Sequence, residues 1–185
     1  PIFLRWRWEM DRPNLQASIW TPQDFIAAWR HIRTIFAEEQ ATNVSWVWCP
    51  TAAGFSDTDR AAPYYPGDSD VDWVCADVYT GQKLDTFQEA AAGFLAWAKG
   101  HPGKTIMIGE WATSDRFPGG QTAWLDQAQK TAKDNPSIKA LVYFDSDDKS
   151  KGPRAQLALK GAAVGRFGDL LAEPYFNTRR LPVGR

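Results

Sequence analysis

The sequence predicts an α/β protein whose parallel sheet curves into part of a barrel. Five short apolar runs of strand length alternate along the 185 residues with segments of helical periodicity. The centres of the runs recur at roughly 30 residues, which is the spacing of βα units in a closed barrel. Two of the runs end in a glutamate, Glu9 and Glu110. We therefore expect two carboxylates at the carboxyl edge of the sheet, where α/β barrels carry their chemistry.

The first half of the chain predicts three strands and one clearly bounded helix. Thr21 is a typical N-cap, Pro22 suits the first helical position, and apolar side chains recur at helical spacing as far as Phe36. The long loop at residues 51–70 is of a length that usually carries function. The predicted elements are strands at residues 1–8, 43–49 and 71–79 and a helix at residues 21–36.

The second half continues the alternation with two strands and three helices. Gly100 is a typical helix stop, and Gly residues interrupt the last helical pattern. The predicted elements are helices at residues 85–99, 122–134 and 156–172 and strands at residues 104–110 and 138–145.

Polar side chains share one face of the third predicted strand. A period of two puts Trp73, Cys75, Asp77 and Tyr79 on the same side. We expect Asp77 and Tyr79 to reach the sheet edge that holds the two glutamates.

Composition indicates one globular domain and argues against several partners. Hydrophobic residues make up 44% of the chain and charged residues 23%, and the net charge is −1. Without a basic surplus, we expect neither nucleic acid nor an anionic membrane as a partner. No apolar run is long enough to span a bilayer. The chain starts inside a predicted strand and without Met, so we expect further natural sequence upstream.

Cysteine and histidine offer little material for a metal centre. Cys49 and Cys75 match no metal-binding spacing, and we expect two buried thiols on neighbouring strands, with a disulfide as the alternative. His31 lies in a helical pattern and His101 in a turn. We therefore expect no metal, no cofactor and no catalytic triad built on histidine.

The paired strand-end carboxylates suggest hydrolysis of glycosidic bonds. Glu9 and Glu110 are three βα units apart, so their side chains can converge on the mouth of a barrel. Retaining glycosidases use such a pair, one carboxyl as acid/base and one as nucleophile, about 5–5.5 Å apart. A solvated strand end is an equally good interpretation of either glutamate alone, but the pair favours the catalytic one.

Several stretches of the chain match the pattern of one known family. Residues 4–11 contain Glu9 within a tryptophan-rich strand, and residues 65–73 contain Pro-Gly-Asp followed by Val-Asp-Trp. Further matches are Trp29 with Arg30, residues 43–48, Asp77 with Tyr79, and residues 108–110. Together they cover nearly the whole chain, in order, and they resemble glycoside hydrolase family 26, whose members are mostly endo-β-mannanases.

The resemblance implies a (β/α)8 TIM barrel of which residues 1–185 supply about strands four to eight. Glu9 then corresponds to the acid/base at the end of strand four, and Glu110 to the nucleophile at the end of strand seven. Tyr79 is similar to the tyrosine that hydrogen-bonds the nucleophile, and Arg5 to the arginine beneath the acid/base. A barrel-completing segment before strand four and an extracellular location are implied as well.

Aromatic side chains near the strand ends could stack against sugar rings. Trp8, Trp48, Trp111 and Phe144 occupy such positions. For the last three, packing in the core is an equally good interpretation. With Arg5 and Tyr79, these four side chains form the predicted substrate-binding set.

The sequence departs from the family pattern at several positions. Trp8 stands where mannanases usually have histidine, and Asp11 with Arg12 replaces the usual Asn-Gly. Phe144 and Asp145 stand at the end of the last predicted strand, without the tryptophan that the family has there. The leading hypothesis is a retaining hydrolase of a β-linked polysaccharide, most simply β-1,4-mannan. Its alternatives are a β-glucanase, a xylanase, an exopolysaccharide hydrolase, or a carbohydrate-binding barrel without catalysis.

Overall fold

Five parallel strands, paired in the order of the chain, form the centre of the molecule. The computed structural model describes residues 2–56, 59–80, 83–148 and 156–176. Within them, each strand pairs in parallel with the next one along the chain. This order belongs to the wall of a barrel, and it confirms the predicted parallel α/β fold, which curls into half a barrel. The strands are β1 (Ile2–Leu4), β2 (Val44–Trp48), β3 (Trp73–Tyr79), β4 (Thr105–Ala112) and β5 (Ile138–Tyr143).

The helices follow the strands as a barrel requires. Thr21 caps α2 and Thr86 caps α3, each in a reciprocal capping box with the acidic residue three positions on. No helix among the described residues is long and apolar enough to cross a membrane. The helices are α1 (Gln16–Ile19), α2 (Pro22–Glu38), α3 (Phe87–Ala98), α4 (Gly120–Asp134) and α5 (Ala162–Ala172).

Two elements differ from their predicted bounds near the glutamates. β1 ends at Leu4 rather than at residue 8, because Arg7 and Glu9 adopt positive φ angles of 51° and 54°, which a strand cannot contain. Pro1 lies outside the described residues. β4 continues past Glu110 to Ala112, so the glutamate is within the strand and not at its end.

The last helix is shorter than its predicted span. α5 begins at Ala162, directly after Gly161, whose φ is 53°. Ahead of it, the carboxylates of Asp145 and Asp147 accept the backbone N–H groups of Leu159 and Ala158. These side-chain bonds compete with helical ones, so this stretch forms a loop.

The sheet has a different packing layer on each of its sides. The larger layer lies between sheet and helices and is rich in aromatic rings, among them Trp29, Trp46 and Trp124. The smaller layer fills the barrel interior with Val47, Met107 and the two cysteines. Alternation along the strands therefore separates a large aromatic core from a narrow interior column.

A disulfide joins β3 to the residue that follows β2. Cys49 and Cys75 are bonded, with Cα atoms 4.3 Å apart, so the expectation of two free thiols was wrong and its alternative is correct. Gly109 of β4 makes room for the bond. A Cβ at this position would lie 2.5 Å from the Cys75 sulfur, 2.7 Å from the Cys49 sulfur and 2.9 Å from Asp77 Oδ1. The close approach explains why β4 has glycine here.

Candidate active site

Both glutamates line one open cavity at the carboxyl edge of the half-barrel. Its volume is about 690 Å³. Its wall comes from the turn after β1, the ends of β3 and β4, and the chain after β5. Predicted site residues on this wall are Glu9, Glu110, Trp8, Tyr79 and Phe144.

Two hydrogen bonds hold the Glu110 carboxylate from opposite sides. The Tyr79 hydroxyl donates to Oε2 at 2.7 Å, and Arg5 Nη1 donates to Oε1 at 3.3 Å. Arg5 Nη1 also donates to the Gly109 carbonyl oxygen at 3.2 Å. The side chain of Glu110 is 21% exposed, so it is fixed in place yet open to the cavity.

A bulge in β4 brings Glu110 to the side of Asp77. Ala76 pairs with Ile108, but the next residue, Asp77, pairs with Glu110, so Gly109 is an extra residue in β4. Strict alternation from Ile108 would put Glu110 on the helix-facing side. The extra residue shifts the register, and both carboxylates reach Arg5.

Asp77 is the most deeply buried acid of this group. Arg5 Nη2 donates to its Oδ2 at 2.6 Å, and the Cys49 sulfur lies 3.4 Å from its Oδ1. Burial raises the pKa of Asp77 to about 8, and the Arg5 guanidinium opposes that rise. The Arg5 guanidinium is thus shared between the carboxyl groups of Asp77 and Glu110.

Tyr79 remains a hydrogen-bond donor at any ordinary pH. Burial and the adjacent Glu110 carboxylate raise the pKa of its hydroxyl far above the usual value. The hydroxyl therefore stays protonated and donates a hydrogen bond to Glu110. The predicted resemblance of Tyr79 to a nucleophile-binding tyrosine matches this contact.

Glu9 is held in a turn rather than at the end of a strand. Its backbone N–H donates to the Cys49 carbonyl at 2.8 Å, with φ at 54°. Arg12 Nη1 donates to its Oε2 at 2.6 Å, and the Glu9 side chain is 10% exposed. Arg5 was expected beneath Glu9, but in the structure its guanidinium contacts Glu110 and Asp77. The two carboxylates thus depend on different arginines.

Asp11 anchors the turn that carries Glu9. It is 2% exposed, and its Oδ1 accepts the Thr51 backbone N–H at 2.8 Å. The Thr51 hydroxyl donates to the other oxygen of the same carboxylate. The departure from Asn at this position therefore ties the turn after β1 to the loop after β2.

The aromatic residues of the predicted binding set divide into two groups. Trp8 is 52% exposed and Phe144 39% exposed at the cavity, where Phe144 packs edge to face on Tyr79. Trp48 and Trp111 are completely buried on the helix-facing side, against Trp97 and Phe87 respectively. Of the two interpretations left open for them, the structure has core packing, so neither ring offers a face to a sugar.

A second cavity of about 580 Å³ adjoins the first, and the two share Glu9, Arg12, Tyr79 and Thr80. It extends between the loop after β2 and the start of α3. Glu9 lines it but Glu110 does not. The open cleft therefore extends beyond Glu9, away from Glu110.

One group of potential metal ligands lies close together in the described part of the chain. It consists of Cys49, Cys75 and Asp77, all buried. Both sulfurs belong to the disulfide, and Asp77 is bound to Arg5. The group is better suited to positioning Arg5 than to binding an ion.

Two features of the site were missed by sequence reasoning. The ion pair of Arg12 with Glu9 could have been suspected, because a cation three residues after an acid can reach it within a single turn. The bulge at Gly109 has no comparable signal beyond glycine itself.

Comparisons with known proteins support the fold, and the relatives described below are all glycoside hydrolases. No protein-family model matches the chain. The solved endo-β-1,4-mannanase of Cellulomonas fimi, of glycoside hydrolase family 26, superposes with a TM-score of 0.68 at 18% identity over 95% of this chain and 41% of its own. The chain shares the family 26 fold. The resemblance inferred from sequence is confirmed at this level.

Other relatives carry different substrate names. A β-1,3-xylanase of a Vibrio species is 34% identical over 118 residues, which are 60% of this chain and 23% of that protein. Endoglucanase H of Acetivibrio thermocellus is 29% identical over 133 residues, 67% of this chain and 14% of that protein. The chain thus spans under a quarter of these two curated relatives and about two fifths of the solved mannanase.

Proposed function

We propose that this protein is a retaining glycoside hydrolase that cleaves a β-linked polysaccharide, with β-1,4-mannan as the leading substrate. The observation that carries the proposal is the joint presence of Glu9 and Glu110 on one open cavity. Glu110, with Tyr79 and Arg5 at its two oxygens, suits the role of an ionised nucleophile. Glu9 suits the acid/base.

In the proposed reaction, a Glu110 oxygen forms a bond to the anomeric carbon while the bond to the leaving sugar breaks. Glu9 gives its proton to the departing oxygen. Water then attacks the glycosyl ester of Glu110, loses a proton to Glu9, and releases a product with the original anomeric configuration. Because an acid/base faces the leaving group, we assign the second cavity, beside Glu9, to the leaving sugar.

The names of the relatives supply the alternative substrates. The 34% identical relative is named a β-1,3-xylanase, which favours xylan as the second candidate, and the endoglucanase favours a glucan. Exposed Trp8 and Phe144 offer faces on which any of these sugars could stack.

We also propose that further strands complete the barrel and that the enzyme acts outside the cell. The half-barrel has apolar side chains exposed on its two outermost strands, Phe3 at 54% and Val142 at 52%, which further strands would cover. The disulfide between Cys49 and Cys75 suits an oxidising compartment.

Release of reducing sugar from mannans, xylans and glucans tests the proposal. The assay uses this chain alone and joined to the segment proposed to complete the barrel, with Glu9→Ala and Glu110→Ala as controls. We expect activity on one polymer class, lost in both variants. Binding to a polymer without hydrolysis would favour a non-catalytic carbohydrate-binding barrel instead.

A further inference from the structure

Arg12 lies in a compact turn, where its side chain contacts Glu9 and Asn14. Its Nη1 donates to Glu9 Oε2 at 2.6 Å, and its Nε donates to Asn14 Oδ1 at 3.3 Å. Its backbone N–H also donates to the Glu9 carbonyl at 3.1 Å. The guanidinium is therefore held at both ends, and its position relative to the Glu9 carboxyl is well defined.

Arg12 is also the more exposed member of the ion pair. Its side chain is 45% exposed, against 10% for Glu9, and it lines both cavities of the cleft. Asp77 and Tyr79 also face Glu9 electrostatically, and Glu110 lines the same cavity, but none of these three side chains carries a positive charge. Arg12 is thus the cation in direct contact with Glu9.

We propose that Arg12 is a positioning residue for proton transfer by Glu9. This inference rests on the proposed function. Arg12 occupies Oε2 and leaves Oε1 to meet the glycosidic oxygen. As the proton passes from Oε1 to the departing oxygen and the glycosidic bond breaks, negative charge develops on Glu9 beside the guanidinium. The guanidinium, held against Oε2, stabilises the carboxylate more than it stabilises the protonated acid, which aids the step in which Glu9 gives up its proton.

The role makes a specific demand on the substrate. A sugar or a weakly acidic phenol needs a proton to depart, whereas 2,4-dinitrophenolate departs without one. Arg12 should therefore matter for poor leaving groups and not for good ones. Substitution of a residue that only stabilised the fold would lower kcat/KM for poor and good leaving groups alike.

The test compares two aryl glycosides that differ only in their leaving group, 4-methoxyphenyl and 2,4-dinitrophenyl. Their glycone is the disaccharide of the polymer that the enzyme hydrolyses. In Arg12→Met we expect kcat/KM to fall about 10- to 100-fold for the first and less than about 3-fold for the second. Arg12→Lys, which keeps the charge, should recover part of the loss.

Arg166→Met is the matched control, because Arg166 also pairs with an acid, Asp126, at 2.6 Å, but on the outer helices. It should leave both substrates unaffected. Equal losses for both substrates in Arg12→Met, or no loss, would overturn the inference. If Arg12→Met does not fold, Arg12→Gln carries the same comparison. Wild-type enzyme that cleaves neither glycoside nor any polymer would instead refute the proposed function.

Discussion

The end of β4 and the turn after β1 hold their glutamates by opposite means. Glu110 lies within a paired strand, and its carboxylate accepts from Tyr79 and Arg5, which come from other segments of the chain. Glu9 lies in a turn at positive φ, and its carboxylate accepts from Arg12, three residues away. Under the proposed roles, the nucleophile is held by contacts from across the sheet and the acid/base by a neighbour in its own turn.

The largest expected effect separates the roles of the two glutamates. Glu110→Ala should lower kcat on the order of 10⁴-fold or more, because the covalent step is lost. Added azide should then yield a glycosyl azide of inverted configuration. In Glu9→Ala, azide should yield a product of retained configuration. NMR of the two products checks the assignment, and an exchange of the two outcomes would reverse the roles.

The next effect concerns Asp77, which shares Arg5 with Glu110. Burial raises the pKa of Asp77 to about 8, from about 3.9 in an unfolded chain. Between about pH 3.9 and pH 8, Asp77 therefore binds a proton in the folded state but not in the unfolded state. The free energy of unfolding falls as the pH rises through this range. Each unit of pKa shift corresponds to about 1.4 kcal/mol, so the loss is of order a few kcal/mol.

Asp77→Asn should flatten this dependence, as measured by urea unfolding between pH 5 and pH 8.5. Asp134→Asn, at an exposed carboxyl on α4, is the control and should keep the wild-type slope. Parallel curves for the wild type and Asp77→Asn would contradict the raised pKa.

A smaller effect is expected when Glu110 loses one of its donors. Tyr79→Phe removes a hydrogen bond to a charged group, worth about 1.5–3 kcal/mol, so kcat/KM should fall about 10- to 100-fold. Tyr143→Phe is the matched control, since its hydroxyl donates to the Leu157 carbonyl at 3.1 Å. Steady-state kinetics measure both. Similar losses in the two variants would mean that the Glu110 contact has no special role.

The smallest expected effect is on substrate binding beside Glu9. Trp8→Ala should raise KM about 3- to 10-fold by removing a stacking face worth about 1 kcal/mol. Trp20→Ala provides the comparison, because this equally large ring is 70% exposed and lines a different cavity. Polysaccharide hydrolysis at several concentrations gives both values. A rise in KM for Trp20→Ala alone would move the binding surface away from Trp8.

The sequence predicted the strand-borne part of the site better than the turn-borne part. Glu110, Asp77 and Tyr79 lie on long apolar strands, so their position at the carboxyl edge of the sheet could be anticipated, whereas the placement of Glu110 on the side of Asp77 depends on the bulge at Gly109. The interaction of Glu9 with Arg12 depends on a positive φ at Glu9, which no sequence pattern predicts. The prediction continued β1 through this turn for that reason.

Burial of the tryptophans was also ambiguous in the sequence. Trp48 and Trp8 both lie near the end of a predicted strand, and they differ because α3 and the loop after β2 pack against Trp48. An apolar ring serves a core and a sugar equally well, so the deciding information is tertiary.

Gly109 has a consequence for anyone who diversifies this protein. A single methyl group there would press at once on both sulfurs and on Asp77, and through Arg5 on Glu110. Randomised libraries should therefore recover glycine at this codon even when selected for folding alone. The space left by Gly109 therefore limits how the disulfide and Asp77 can pack in the barrel interior.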